Sequence, residues 1–329
     1  MAGFWQGRAV LVTGAGGFIG SHLSERLAGE GAKVRAMVRY SSRGTAGWLE
    51  ESPARADFEF VYGDIRDEAF VRESVRGMDT VFHLASLIAI PYSYRAPASY
   101  VETNVGGGLN VLQAAKEHGV RRVLHTSTSE VYGTALQVPI REDHPLQGQS
   151  PYSATKIGAD KLAESYYLSY GTPVTTVRPF NTFGPRQSAR AIIPTIICQL
   201  LAGPVVKLGN LAPTRDMNYV CNTVDGFLAA GSSDAGVGEV THFGSGREIS
   251  VGDLARLCAE LMGQEIELST ESERTRPSGS EVERLLACND RALSLFGWSP
   301  RVTLEEGLRS TIDWIRAHPS EYRADRYTV

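Results

Sequence analysis

Only four cysteines occur in 329 residues, with no C-x-x-C pair and no histidine couple close by. That argues against a disulfide framework or a zinc site and leaves Cys198, Cys221, Cys258 and Cys288 as buried reduced thiols. No apolar run approaches the ~20 residues that span a bilayer; residues 81–90, among the longest, stop well short of it. An excess of basic charge is also missing. The formal net charge is −4 with the two signs interspersed, so there is no field to hold nucleic acid or anionic lipid, and an anionic ligand has to be met locally. Residues 1–8 lack the charged, apolar and cleavage segments of a leader. No internal repeat or low-complexity linker is present. What remains is a soluble, cytoplasmic globular protein, 42% hydrophobic, able to form one large domain or two modest ones.

The chain that is present begins with a short apolar run, residues 9–13. It passes directly into Gly14-Ala15-Gly16-Gly17-Phe18-Ile19-Gly20 and then into helical spacing over residues 21–29, with Leu23 and Leu27 on one face. A strand, a glycine turn and a helix in this order suit a pyrophosphate. The glycines let the backbone approach it, and the helix N-terminus offers N–H groups and a positive dipole end. The second strand, residues 33–38, ends where a dinucleotide fold usually presents an acidic group to the adenosine ribose. Arg39 stands there, followed by Tyr40-Ser41-Ser42-Arg43. A guanidinium with nearby hydroxyls suits a 2′-phosphate, so NADP is favoured over NAD.

Further strands are expected at residues 58–62, 80–84, 120–126 and 174–180, alternating with helices at residues 105–118 and 151–170. This alternation predicts an α/β fold with a doubly wound parallel sheet of the Rossmann type. Asp64, after the third strand, can reach the adenine amino group. Ala85 and Ser86 end the fourth strand where the nicotinamide half would lie, and Asn104 is expected to open the helix that Gly119 stops. Ser150 and Pro151 form an N-cap and N1 pair, and Gly171 ends that helix. Beyond residue 180 the pattern breaks into short segments around Pro185, Pro194, Pro204 and Pro213, a smaller domain covering the substrate. Residues 239–243 return to the main sheet, so the domains interleave: residues 1–180 with about 220–243 bind the dinucleotide, and residues 181–219 with 244–329 bind substrate.

The fifth strand delivers Ser127-Thr128-Ser129-Glu130-Val131-Tyr132-Gly133 to the carboxyl edge of the sheet, and Tyr152 and Lys156 follow on one helix face. A phenol of ordinary pKa near ~10 is a poor base at neutral pH. An ammonium one turn away lowers that pKa and can also bind the nicotinamide ribose.

These motifs, Thr13-Gly14-x-x-Gly17-x-x-Gly20, Gly63-Asp64, His83-Leu84-Ala85, Thr128-Ser129-Glu130-Val131-Tyr132-Gly133 and Tyr152-x-x-x-Lys156, together resemble the extended short-chain dehydrogenase/reductase superfamily over essentially the whole chain. Thr128-Ser129-Glu130 is similar to the sugar-nucleotide 4,6-dehydratases, particularly the GDP-mannose type. Residues 88–94, 181–190 and 276–284 resemble the dehydratases of legionaminic acid biosynthesis, which act on a nucleotide-linked N-acetylglucosamine. The resemblance implies a cofactor set of Gly14, Gly17, Phe18, Ile19, Gly20, Arg39, Ser42, Arg43, Asp64, Ile65, Leu84, Ala85, Ser86, Asn104 and Thr126, with Tyr152 and Lys156. It implies that Tyr152 takes the C4 hydroxyl proton, that Thr128 bonds that oxygen, and that Glu130 removes the C5 hydrogen. The product is then a 4-keto-6-deoxy sugar.

One residue departs from the dTDP-glucose enzymes, which carry an aspartic acid where Ser129 stands. A serine is too weak an acid to protonate the leaving hydroxyl, so Glu130 shuttles the proton itself or a water assists. The departure also keeps a UDP-glucuronate decarboxylase in view, although Leu87-Ile88-Ala89-Ile90-Pro91 is too apolar for a C5 carboxylate. A 4-epimerase needs no carboxylate beside C5. A non-catalytic NADP sensor of the same fold would lose the tyrosine and lysine, and both are retained. Substrate contacts fall to Ser86, Thr128, Asn181, Arg186, Arg215, Arg276 and Glu281, the arginines suiting a diphosphate. His83 and His125 read as satisfied core residues. The helix at residues 105–118 and the Tyr166-Tyr167-x-x-Tyr170 stretch are expected to pack in the core or across a homodimer axis.

Overall fold

The computed structural model describes residues 3–271 and 277–322. Its strands in chain order are β1 (Ala9–Thr13), β2 (Lys33–Arg39), β3 (Phe58–Gly63), β4 (Thr80–His83), β5 (Arg122–Thr126), β6 (Val174–Pro179), β7 (Asn181–Phe183), β8 (Val205–Leu208), β9 (Thr214–Tyr219), β10 (Val240–Phe243), β11 (Glu248–Ser250) and β12 (Glu267–Thr270). The helices are α1 (Phe18–Gly29), α2 (Glu68–Val75), α3 (Ile90–Ser93), α4 (Pro97–Tyr100), α5 (Gly107–Glu117), α6 (Pro151–Tyr170), α7 (Ile192–Ala202), α8 (Val220–Gly231), α9 (Val251–Met262), α10 (Asp290–Phe296) and α11 (Leu304–Ala317).

Seven strands form the main sheet in the order β3-β2-β1-β4-β5-β6-β10, every neighbouring pair parallel. All of β1 but its first residue is buried, and all of β4 is, as strands covered by helices on both faces must be. Strand order reverses between β1 and β4, which opens a crevice at their carboxyl ends, and ligands of doubly wound sheets occupy that place. A three-stranded sheet, β11-β9-β7, and a parallel β12-β8 pair lie outside it. One apolar core joins the two regions, running from Val10, Val12 and Leu23 through Phe227 and Phe243 to Ile196, Leu254 and Ile312.

The glycine turn folds as its residues require. Gly14 has φ +72°, and a Cβ on Gly20 would stand 2.2 Å from the Gly14 carbonyl oxygen. Gly17 caps α1 without a side-chain hydrogen bond, so the first-turn N–H groups of α1 receive nothing from their own cap. Helix α6 carries the expected devices: a Ser150–Ser153 capping box, proline at its start and Gly171 in the left-handed conformation at its end.

Three expectations are corrected. Asn104 does not open a helix. Helical backbone already runs from Pro97, and Asn104 lies inside a π-helical segment, Val101–Gly106. Pro194 does not break the chain, because it sits in the first turn of α7, where its missing N–H is not needed. Cys198, Cys258 and Cys288 are buried and free, but Cys221 is exposed. Among the described residues no helix is long and apolar enough to cross a membrane.

Candidate active site

The site assembles at the carboxyl ends of β1, β4 and β5. Thr13 ends β1, and its hydroxyl accepts from the backbone N–H groups of Leu84 and Ala85, each at 3.1 Å. Its own proton then goes to Nδ1 of His83, 2.9 Å away. Burial holds His83 well below its ordinary pKa, so it is a neutral acceptor, a core residue as expected. This joint fixes Leu84 and Ala85 beside the glycine turn, and Ser86 follows them in the chain.

Past β5, Thr128 caps a short 3₁₀ turn, Ser129–Tyr132, its hydroxyl accepting from the Glu130 N–H at 3.2 Å. The Thr128 side chain also shares a hydrogen bond with the Tyr152 hydroxyl, and the Glu130 carboxylate is near enough for its charge to act on that phenol. Thr128, Glu130 and Tyr152 are therefore brought together. Ser129 is buried in the same turn.

The expected effect of Lys156 on Tyr152 is overturned. The Tyr152 ring is enclosed by Ile90, Tyr100 and Leu87. Burial, with Glu130 adding to it, raises its pKa well above the ordinary phenol value despite the Thr128 bond. Lys156 is directed to the Thr126 carbonyl at 2.5 Å, and burial pulls its own pKa down to about 8. Desolvation thus outweighs the neighbouring ammonium.

On the cofactor side, Arg39 and the Ser42–Arg43 turn are exposed at the end of β2. Asp64 is gripped by Arg66, which donates from Nε at 3.0 Å and Nη2 at 2.8 Å. That fork and, more weakly, Arg39 hold the Asp64 carboxyl below the usual range. Ile65 is buried, its side chain against Gly107. Asn104 is committed to the protein. Its Oδ1 accepts from the Leu87 N–H and its Nδ2 donates to the Leu87 carbonyl and to Thr155, so both amide hydrogens are already taken.

These residues fit a dinucleotide. The turn admits backbone approach, α1 presents an N-terminus without a side-chain cap, and Thr126 Oγ1 is buried with no hydrogen-bond partner among the described residues.

On the substrate side, Arg215 of β9 is buried with Nη2 3.6 Å from the Glu281 carboxylate, so those two predicted contacts meet. Asn181 begins β7, and its buried Oδ1 has no partner among the described residues. Arg186 is engaged elsewhere. Both its Nη atoms donate to Glu25 of α1, at 2.9 and 3.0 Å, and its guanidinium stands 5.7 Å from the Trp314 ring. Its fork is thus already filled, which is the physical ground for removing it from the diphosphate set. Arg276 lies outside the described residues. Sequence reasoning missed Arg66, whose i+2 spacing from Asp64 was the available signal. It also missed the clasp in which Tyr94 and Ser280 share a 2.5 Å hydrogen bond while Ser280 donates to the Gln149 carbonyl at 2.6 Å.

Comparison with known proteins agrees with this geometry. The family model described as GDP-mannose 4,6 dehydratase matches residues 11–311. A dTDP-glucose 4,6-dehydratase of Actinoplanes sp. is 35% identical over 94% of this chain and 98% of its own. A UDP-glucose 4-epimerase of Mycolicibacterium smegmatis is also 35% identical, over 93% and 98%. Among solved structures, the dTDP-glucose 4,6-dehydratase DesIV of Streptomyces venezuelae, with NAD bound, superposes with a TM-score of 0.86 at 29% identity, covering 95% of this chain and 98% of that one. The chain therefore belongs to the GDP-mannose 4,6-dehydratase family of NAD(P)-dependent extended short-chain dehydrogenase/reductases.

Proposed function

We propose that this protein is a sugar-nucleotide 4,6-dehydratase that converts a UDP- or GDP-linked N-acetylglucosamine or related hexose to its 4-keto-6-deoxy derivative. The observation that carries this reading is the Glu130 carboxylate beside the Thr128–Tyr152 pair. Tyr152 takes the proton of the C4 hydroxyl, which Thr128 holds, as hydride leaves C4. Bound NAD(P) supplies the hydride acceptor and later the donor. The ketone acidifies the C5 hydrogen, Glu130 removes it, and the same carboxyl delivers it to the C6 oxygen as water departs. Buried Ser129 is too weak an acid to share that task. Hydride returns to C6 and a proton from solvent enters C5, matched by release of the C4 proton from Tyr152, so net redox is zero and one water is lost.

Arg215, Asn181 and Glu281 support a diphosphate and ribose site. Exposed Arg39 supports NADP, in contrast to the NAD bound in DesIV. Leu109 on α5 and Leu168 and Tyr170 on α6 are exposed, which supports a homodimer through these helices, testable by sedimentation. The separation of the main sheet from the β11-β9-β7 sheet supports the interleaved division at residues 180, 220 and 243.

Incubating the purified protein with UDP-, GDP-, CDP- and dTDP-sugars and following product mass tests the reading. Loss of one water is expected. Unchanged mass with inverted C4 favours the second reading, a 4-epimerase, which the M. smegmatis relative keeps in play; loss of carbon dioxide means a decarboxylase.

A further inference from the structure

Tyr152, Lys156 and Asp160 form a stripe along α6, each one turn from the next. Each meets a residue of the β5 end. Tyr152 bonds Thr128, Lys156 bonds the Thr126 carbonyl at 2.5 Å, and Asp160 receives the Ser127 hydroxyl at 2.7 Å and His125 Nε2 at 3.1 Å. Helix and strand end are thus joined at successive rungs, and the third belongs to none of the groups given a chemical role above.

Asp160 is deeply buried and also accepts from Arg178 of β6, Nε at 3.2 Å and Nη2 at 2.9 Å. Arg178 Nη1 donates to the Tyr132 hydroxyl at 2.6 Å, and that hydroxyl shares a 2.5 Å hydrogen bond with His242 Nε2. Tyr132 closes the turn that carries Glu130. One carboxylate therefore fixes both sides of the site: the helix bearing Tyr152 and Lys156 and, through Arg178, the turn bearing Thr128 and Glu130.

We infer that Asp160 is a positioning residue for the oxidation step: its carboxylate sets the register of α6 against β5 and supplies the negative charge that keeps the buried Lys156 ammonium protonated, with Arg178 as its counterweight. This rests on the dehydratase reading for the role of Lys156, but the placement of the charges does not. The charge of Lys156 acts on His83 of β4 and His125 of β5, and that of Asp160 on α6 acts on Lys156. Both histidines are held neutral by burial, which leaves Asp160 as the anion among these groups. Burial draws Lys156 down and Asp160 opposes it. A cleft of about 440 Å³ behind the pair, with Glu142, Lys161, Glu164 and Tyr167 among its lining, gives the Asp160–Arg178 contact a polar far side.

The chain has only five lysines, Lys33, Lys116, Lys156, Lys161 and Lys207, so the Lys156 amine can be followed by NMR in full-length protein labelled with ε-¹³C lysine, without any sugar nucleotide. Asp160→Asn should lower the Lys156 titration midpoint by about one pH unit or more, whereas Arg178→Gln, at a residue that bonds Asp160 and Tyr132, should move it much less. The alkaline limb of cofactor reduction should move with it in each case, whereas loss of packing alone would lower the rate evenly across pH. Where Asp160→Asn fails to fold with Arg178 left unpaired, the double variant Asp160→Asn/Arg178→Gln restores neutrality and should still titrate below wild type, since Asp160 is the group whose charge acts on Lys156. An unmoved or raised midpoint in the folded Asp160 variant, single or double, overturns the inference. A lowered midpoint with no turnover of any sugar nucleotide leaves it standing and removes only the dehydratase reading.

Discussion

Tyr152 and Lys156 stand one turn apart on α6 yet hold different partners, the phenol bonded to Thr128 and the ammonium to the Thr126 carbonyl at 2.5 Å. Burial favours the un-ionised phenol in the protein as it stands, so Tyr152 can take the substrate proton only as its phenolate, after its own proton has been passed on. Tyr152→Phe removes that acceptor while keeping the ring against Tyr100. Cofactor reduction in a single turnover should fall ~10²–10⁴-fold with KM little changed. A variant retaining a third of the wild-type rate would mean that another group takes the proton.

Glu130 acts after the ketone exists. Glu130→Gln keeps the side chain's shape and its place in the 3₁₀ turn but cannot accept a proton. Reduced cofactor and a 4-keto sugar should accumulate without water loss, seen as persistent nicotinamide absorbance together with a substrate of unshed mass. Water release at the normal rate would assign the C5 base to another residue.

The sheet was legible because β1 is an apolar run that passes into a glycine turn and strands alternate with helices along the chain, and α6 because Ser150, Pro151 and Gly171 mark its ends. Tyr152, Thr128 and Glu130 were also legible, since a strand end and one helix face determine their meeting. The pKa of Tyr152 was not. It depends on Ile90 and Tyr100, which come from α3 and α4, and no local spacing reports that enclosure. Arg186 misled for a similar reason: its partner, Glu25, lies more than 160 residues away. The π-helical segment around Asn104 answers to tertiary bonds with Leu87 and Thr155.

Arg39 decides cofactor choice in the proposed reading. A 2′-phosphate would gain a charge-assisted contact from this exposed guanidinium, and Asp64, which would otherwise repel it, is already gripped by Arg66. Arg39→Ala should weaken NADP binding about tenfold or more, a change of ~1.4 kcal/mol, and leave NAD binding within about threefold, measured by calorimetric titration. Equal losses for both cofactors would indicate that Arg39 shapes the turn and does not select the phosphate.

Stability should fall on the acid side, because three buried histidines refuse protons in the native state. His83, His125 and His242 are all pushed below their ordinary value by burial, whereas in the unfolded chain each titrates near ~6.5. Below that pH the unfolded state binds more protons than the native one, so the free energy of unfolding declines as pH falls, by up to ~1.4 kcal/mol per pH unit for each histidine. Asp160, held down at about 2, stays charged throughout and adds a loss only at more acidic pH. Glu142 and Asp216, both raised by burial, pull the other way, two groups against the three buried histidines and the partly buried His22, which burial also lowers. Tm should therefore be nearly level from pH 7.5 to 6.5 and drop between pH 6.5 and 5.5 (windows set by the ~6.5 histidine value), with the slope reduced in His242→Gln. A Tm that holds steady to pH 5.5 would mean that the native interior takes up these protons and that the Tyr132–His242 bond tolerates an imidazolium.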